Sequence, residues 1–205
     1  MRRQGFVAWA LVALLLGGPA AWLGWTEPAT QTAWLLHPSA GLTHNPIYSY
    51  WTCAWVHSNA QHLRLNLAGL ILLLGLAWVF KLPTRAALAW LAAWPLTHLA
   101  LLLDPRLESY WGLSGVLHAG MAVIATTLIV ARPTDNIPPP RALGWVLMIG
   151  LIAKSWMENP HLAAIVHRPE LSMNVAPLSH LAGITTGSLL ALALCMPRHL
   201  RQSPT

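Results

Sequence analysis

Three short stretches carry the residues that could do chemistry. Gly112-Leu113-Ser114-Gly115 sets a serine between two glycines where a polar loop enters an apolar run, and His118 follows one turn later. A second apolar run opens with His57-Ser-Asn-Ala-Gln-His62-Leu-Arg-Leu-Asn66, and a third with Pro177-Leu-Ser-His180-Leu-Ala-Gly183-Ile-Thr-Thr-Gly187. A hydroxyl beside an imidazole is the start of nucleophilic acyl transfer. His62 and Asn66, four apart and so about 40° apart on a helix, put two polar groups on one stripe. Each piece also has a plainer use. Ser114 suits a helix N-cap, and His62 and Asn66 suit polar contacts between membrane helices.

The elements that must position them follow from composition. Of 205 residues, 56% are hydrophobic and 9% charged, against roughly 25% charged in soluble domains. Windows of about 20 apolar residues, the length a bilayer requires, recur at about 6–25, 62–80, 85–103, 114–131, 142–157 and 177–196. The expectation is an all-α membrane protein, a six-helix bundle forming one domain over 1–205, with no internal repeat. The net charge of +6 is topological. Arg2, Arg3, Lys81, Arg85, Arg132, Arg141, Arg198 and Arg201 flank alternate loops, while Glu27, Asp104, Glu108, Glu158 and Glu170 lie toward the other face, with Asp135 the exception. That pattern puts both termini in the cytoplasm and gives no reason to expect a nucleic-acid partner.

Lesser features complete the expectation. Arg2 and Arg3 before an apolar run could mark a signal peptide, but the run is long and is interrupted by Gly17, Gly18 and Pro19, which favours a retained first helix. The long loop 26–61, with Trp34, Trp51, Trp55, His37 and His44, suits the headgroup layer. Trp22, Trp25, Trp78, Trp111 and Trp156 near span ends read as interfacial anchors. Cys53 and Cys195 fall on opposite sides and should not pair. His98 reads as an interhelical hydrogen bond. Lys154 reads as a snorkelling lysine rather than the base of a Ser–Lys site. The proline-bearing loop 132–141 is a stiff cytoplasmic turn, and the loop 159–176, bounded by prolines, reads as a mobile cap.

In this topology the second, fourth and sixth spans run in the same direction, so His62, Ser114 and His180 share one depth in the outer half of the bilayer. Gly183, Gly187 and Ala191 form a small-residue stripe that lets the sixth helix come close. Ser114 would be the nucleophile and His180 the base. His62, Asn66 and the Ser114 backbone N–H would hold the oxyanion. No Asp or Glu lies within the spans to orient His180, so the expectation is a dyad. His118 packs on His180 or competes with it; support is the favoured role.

At these residues the chain resembles the rhomboid family of intramembrane serine proteases. His57-x4-His62-x3-Asn66, Gly112-x-Ser114-Gly115 and His180-x2-Gly183-x3-Gly187 match its motifs in order, spacing and helix number. The resemblance implies Ser114 and His180 as the dyad and His62 and Asn66 as the oxyanion hole, with the 159–176 loop over the site. It implies supporting roles for His57, Gly112, Gly115, His118, Gly183 and Gly187. His118 departs from the tyrosine usual in the family. Gly-Leu-Ser114-Gly-Val-Leu-His118 in a short chain is most similar to the rhombosortase branch. That likeness implies transmembrane substrates bearing a C-terminal Gly-Gly, hydrophobic helix and basic tail. It also implies a bacterial inner membrane and a site opening to the periplasmic side. The acyl acceptor is water or an amine. The rival readings are a rhomboid with other substrates, a non-catalytic helix-binding relative, and a metal- or haem-binding protein suggested by ten histidines. Against the last stand the absence of a His-Glu-x-x-His motif and of regular ligand spacing, so no metal or cofactor is expected.

Overall fold

The computed structural model describes residues 2–26, 31–131, 140–169 and 173–196. Glu27, Arg132, Asp135, Glu170, Arg198 and Arg201, all used in the charge argument, lie outside the described residues, as does most of the 132–141 turn. Six long helices form the frame: α1 (Arg2–Leu23), α2 (Ala60–Val79), α3 (Thr84–Leu99), α4 (Ser114–Val130), α5 (Arg141–Met157) and α6 (Pro177–Cys195). The boundaries fall within a few residues of those predicted from hydropathy. The third span is not α-helical throughout, because its last turn, Ala100–Leu103, tightens to a 3-10 helix.

Local chemistry sets the ends. The Asn59 side chain accepts the His62 backbone N–H at 2.8 Å and caps α2. Pro177 occupies the first turn of α6, where its missing N–H costs nothing. The helix α2 stops at Lys81, whose φ of 50° takes the left-handed position, and Leu82 N–H returns to the Ala77 carbonyl at 3.1 Å. Asn159, with φ 53°, does the same for α5, and Pro160 follows. Glu158 is therefore the last residue before the chain turns away.

Four helical stretches, Arg3–Leu23, Ala60–Val79, Thr84–Leu103 and Pro177–Cys195, are long and apolar enough to cross a membrane, and Ser114–Val130 is a shorter apolar helix. The outward faces bear the residues lipid requires: Leu11, Leu14, Ile71, Leu72, Val146, Ile149 and Ile152 are all exposed. Trp22, Trp25, Trp78 and Trp156 are exposed near helix ends, Trp111 is half-buried, and Trp9 and Trp90 stack in the core at 4.9 Å. The chain is a predominantly helical, multi-pass membrane protein. At its centre lies α4, packed by α2, α3, α5 and α6, with eleven of its seventeen residues buried.

The 26–61 loop is more structured than an interfacial loop need be. Leu36 and Tyr110 exchange backbone hydrogen bonds at 3.1 and 2.8 Å, which stitches the loop to the segment leading into α4. Trp55 donates to the Leu15 carbonyl, and Trp94 to that of Trp51. The segment includes a short helix, Ser49–Thr52, and His98 of α3 bonds its Tyr50 carbonyl at 2.7 Å, an interhelical hydrogen bond as read from the sequence. Cys53 and Cys195 are both free and buried, and burial pushes the Cys53 thiol well up. The loop after α5 contains an antiparallel pair, β1 (Val166–Arg168) and β2 (Met173–Val175).

Candidate active site

Ser114 opens α4 and His180 lies in the first turn of α6. Their side chains meet, with Ser114 Oγ 3.0 Å from His180 Nε2. His180 is buried and Ser114 half-buried. What brings them together is a seam without side chains. A Cβ on Gly183 would overlap the Gly115 carbonyl oxygen, and one on Gly187 would overlap that of Ala119. A Cβ on Gly115 would come within 2.9 Å of the Ser179 carbonyl oxygen. All three glycines are needed for space, and the stripe read from the sequence is the contact face.

Gly112 bends the chain into α4. Its φ is +117°, which side-chain-bearing residues rarely adopt, and its N–H donates to the Cys53 carbonyl at 2.9 Å. The Tyr110 hydroxyl donates to the Gly112 carbonyl at 3.1 Å and fixes the bend from behind. A Cβ here would come within 3.0 Å of the His62 ring. The imidazole of His62 thus lies against the backbone two residues before Ser114.

The α2 group is itself held. His57 Nδ1 donates to the Trp55 carbonyl at 3.1 Å, so its Nε2 is an acceptor, and the Asn66 amide donates to it at 2.9 Å. Burial first, then the neighbouring His62, push His57 down to about 4, which keeps that acceptor unprotonated near neutral pH. The His57 and His62 rings meet edge to face at 4.8 Å. His57 therefore orients Asn66.

His118 lies flat on His180, ring centroids 4.0 Å apart and planes 15° apart. Its Nδ1 donates to the Ser114 carbonyl at 2.7 Å. The ring face rather than a nitrogen is turned to His180.

Two residues were read differently from the sequence. Glu158 Oε2 lies 2.5 Å from His180 Nδ1, on the side of the ring away from Ser114. The half-exposed Lys154 also has a partner inside the protein: its Nζ pairs with Glu158 Oε1 at 2.6 Å and comes within 3.4 Å of His180 Nδ1. No acid lies within the apolar windows, as read from the sequence, but Glu158, one residue past α5, reaches His180 from outside them. Burial would raise the Glu158 carboxyl, but the hydrogen bonds and charges of His180 and Lys154 outweigh it and hold it well below the usual carboxylate range. The i,i+4 pair Lys154–Glu158 beside a Pro-terminated helix end was the available signal.

Fold and site together define a helical membrane protein with a serine, an imidazole and a carboxylate in hydrogen-bonded line inside it. A family model described as the Rhomboid domain matches residues 44–197, and the chain belongs to the rhomboid family of intramembrane serine proteases. No curated protein matches the chain in sequence.

Proposed function

We propose that this protein is an intramembrane serine endopeptidase with Ser114 as nucleophile and His180 as general base and acid. The observation that supports this most is the 3.0 Å separation of Ser114 Oγ and His180 Nε2 at the half-buried start of α4. Oγ attacks the scissile carbonyl carbon while its proton passes to Nε2. The oxyanion so formed is held by the Ser114 backbone N–H, by His62 and by the Asn66 amide. Collapse breaks the C–N bond, and Nε2–H gives its proton to the departing amine. Water then attacks the acyl-enzyme, losing its proton to Nε2. The second collapse returns that proton to Oγ and releases the carboxylic acid.

On this reading all six long helices cross the membrane, both termini are cytoplasmic, and the site opens toward the outer, periplasmic side of a bacterial inner membrane. The substrates are transmembrane proteins ending in Gly-Gly, a hydrophobic helix and a basic tail. That substrate class rests on the rhombosortase-like stretch Gly112–His118. Its chemistry suits the site, since consecutive glycines leave a helix readily and extend into a cleft.

The test is labelling of the purified protein in detergent with a fluorophosphonate. The parent is expected to label, and Ser114→Ala and His180→Ala to lose labelling. Equal labelling of all three removes both assignments. Substrate class is checked by co-expression with an exported reporter carrying the tail, against one with Gly-Gly changed to Leu-Leu; equal processing of both excludes the glycine requirement.

A further inference from the structure

Glu158 and Lys154 are left over by a two-residue mechanism, yet they are not disposed as a surface ion pair. The Glu158 side chain is 10% exposed, and its two oxygens are divided: Oε1 takes Lys154 and Oε2 takes His180. An ionised carboxylate can only accept hydrogen bonds. The proton in the 2.5 Å contact therefore sits on His180 Nδ1. That leaves a lone pair on Nε2, the nitrogen 3.0 Å from Ser114 Oγ, in the tautomer a base needs. Lys154 cannot also donate to Nδ1, since that nitrogen has no free lone pair. Nor does it address Ser114, for it meets the opposite edge of the imidazole.

The stacked neighbour of the ring does not do this work. His118 stacks on the face of His180 and spends its Nδ1 on the Ser114 carbonyl. It limits tilt and leaves the in-plane rotation and the tautomer of His180 undetermined. The carboxylate determines both.

We infer that Glu158, clamped by Lys154, is a positioning residue for His180, so that the base works in a serine–histidine–glutamate line and not as an unsupported pair. This rests on the reading of Ser114 and His180 given above. When Nε2 takes the serine proton the ring becomes an imidazolium, and the adjacent carboxylate stabilises it without taking the proton itself. Glu158 touches no reacting atom; it acts through the ring.

Two measurements test this on the full chain in detergent. The first is the rate of fluorophosphonate labelling. Glu158→Gln is expected to lower it on the order of a hundredfold, because an amide can present N–H to Nδ1 and hold the wrong tautomer. Glu158→Asp should recover part of that loss, and Lys154→Met should lose less than Glu158→Gln. The second is the proton spectrum of protein labelled with 15N-histidine. A far-downfield N–H resonance is expected in the parent and in Ser114→Ala, and should vanish in His180→Ala and Glu158→Gln.

Parent-like labelling of Glu158→Gln with Ser114→Ala dead would overturn the role of Glu158 and leave the protease reading standing. Labelling of Ser114→Ala at the parent rate would remove the protease reading, while the resonance still reports the Glu158–His180 bond. A greater loss from Lys154→Met than from Glu158→Gln would assign the effect to the cation and overturn the proposal. If Glu158→Gln does not fold, the parent resonance and the Asp variant decide, and their failure overturns it equally.

Discussion

Both α5 and α6 pack on the central helix α4, but they use glycine to different extents. Against α6 the contact is backbone on backbone, with Gly183 and Gly187 laid over the carbonyls of Gly115 and Ala119. Against α5 a single glycine, Gly144, comes that close, its Cβ position 2.8 Å from the Ala125 carbonyl oxygen, and Ser155 is the other buried residue of that helix. The first contact sets the distance between Ser114 and His180 through the main chain. The second brings a carboxylate to the same imidazole on a flexible side chain, steadied by a lysine. Geometry that must hold to a few tenths of an ångström is built from glycine. Polarity that must only be near is delivered by reach.

That contrast can be broken most violently at the seam. Gly183→Leu forces the two backbones apart, and we expect a destabilisation of about 3 kcal/mol or more with complete loss of labelling, read by denaturant titration and fluorophosphonate. Next is Gly112→Ala, which imposes a side chain on a φ of +117° and on the His62 ring. Strain of about 1–3 kcal/mol should appear as slowed labelling in a protein that still folds. Parent-like labelling would show that His62 need not lie where it does.

A smaller effect is expected where the 159–176 loop joins the frame. Arg106 binds Asp104 bidentately at 2.8 Å and reaches the carbonyls of His161 and Leu162 just past α5. The Arg106 hydrogen bond holds Asp104 below its ordinary value. The pair therefore contributes stability at pH values above the unfolded carboxyl's, about 4, and loses it as pH falls through the lower folded value. Because the arginine is half exposed, Asp104→Asn should cost under about 1 kcal/mol and make cleavage in the 159–176 loop by an added protease only modestly faster. The smallest effect belongs to Gly150→Leu, where a Cβ meets nothing within 4 Å. Stability and labelling should stay within about 0.5 kcal/mol and twofold of the parent. A loss like that of Gly183→Leu would erase the distinction between a glycine in the seam and one on an open helix face.

Helix positions and the meeting of Ser114 with His180 were legible because both rest on strong local signals. Apolar windows fix the spans to within a residue or two at most ends, and Gly183 and Gly187 announce a close face. Glu158 and Lys154 were not legible. Each has a sound local reading, the acid as a charge beyond a span and the lysine as a snorkelling end, and neither reading depends on how α5 is rotated about its axis. Hydropathy does not report that rotation when nearly the whole helix is apolar. His98 does bond between helices, as read, but its partner, the Tyr50 carbonyl, belongs to the short helix Ser49–Thr52, which no apolar window marks.

The glycine seam also restricts traffic. Where carbonyl oxygens already touch the neighbouring main chain, no extended peptide can slip between α4 and α6. On the function proposed here, that flank is a closed wall. Entry to the serine is left to borders lined by side chains, which can swing aside and return without the frame coming apart.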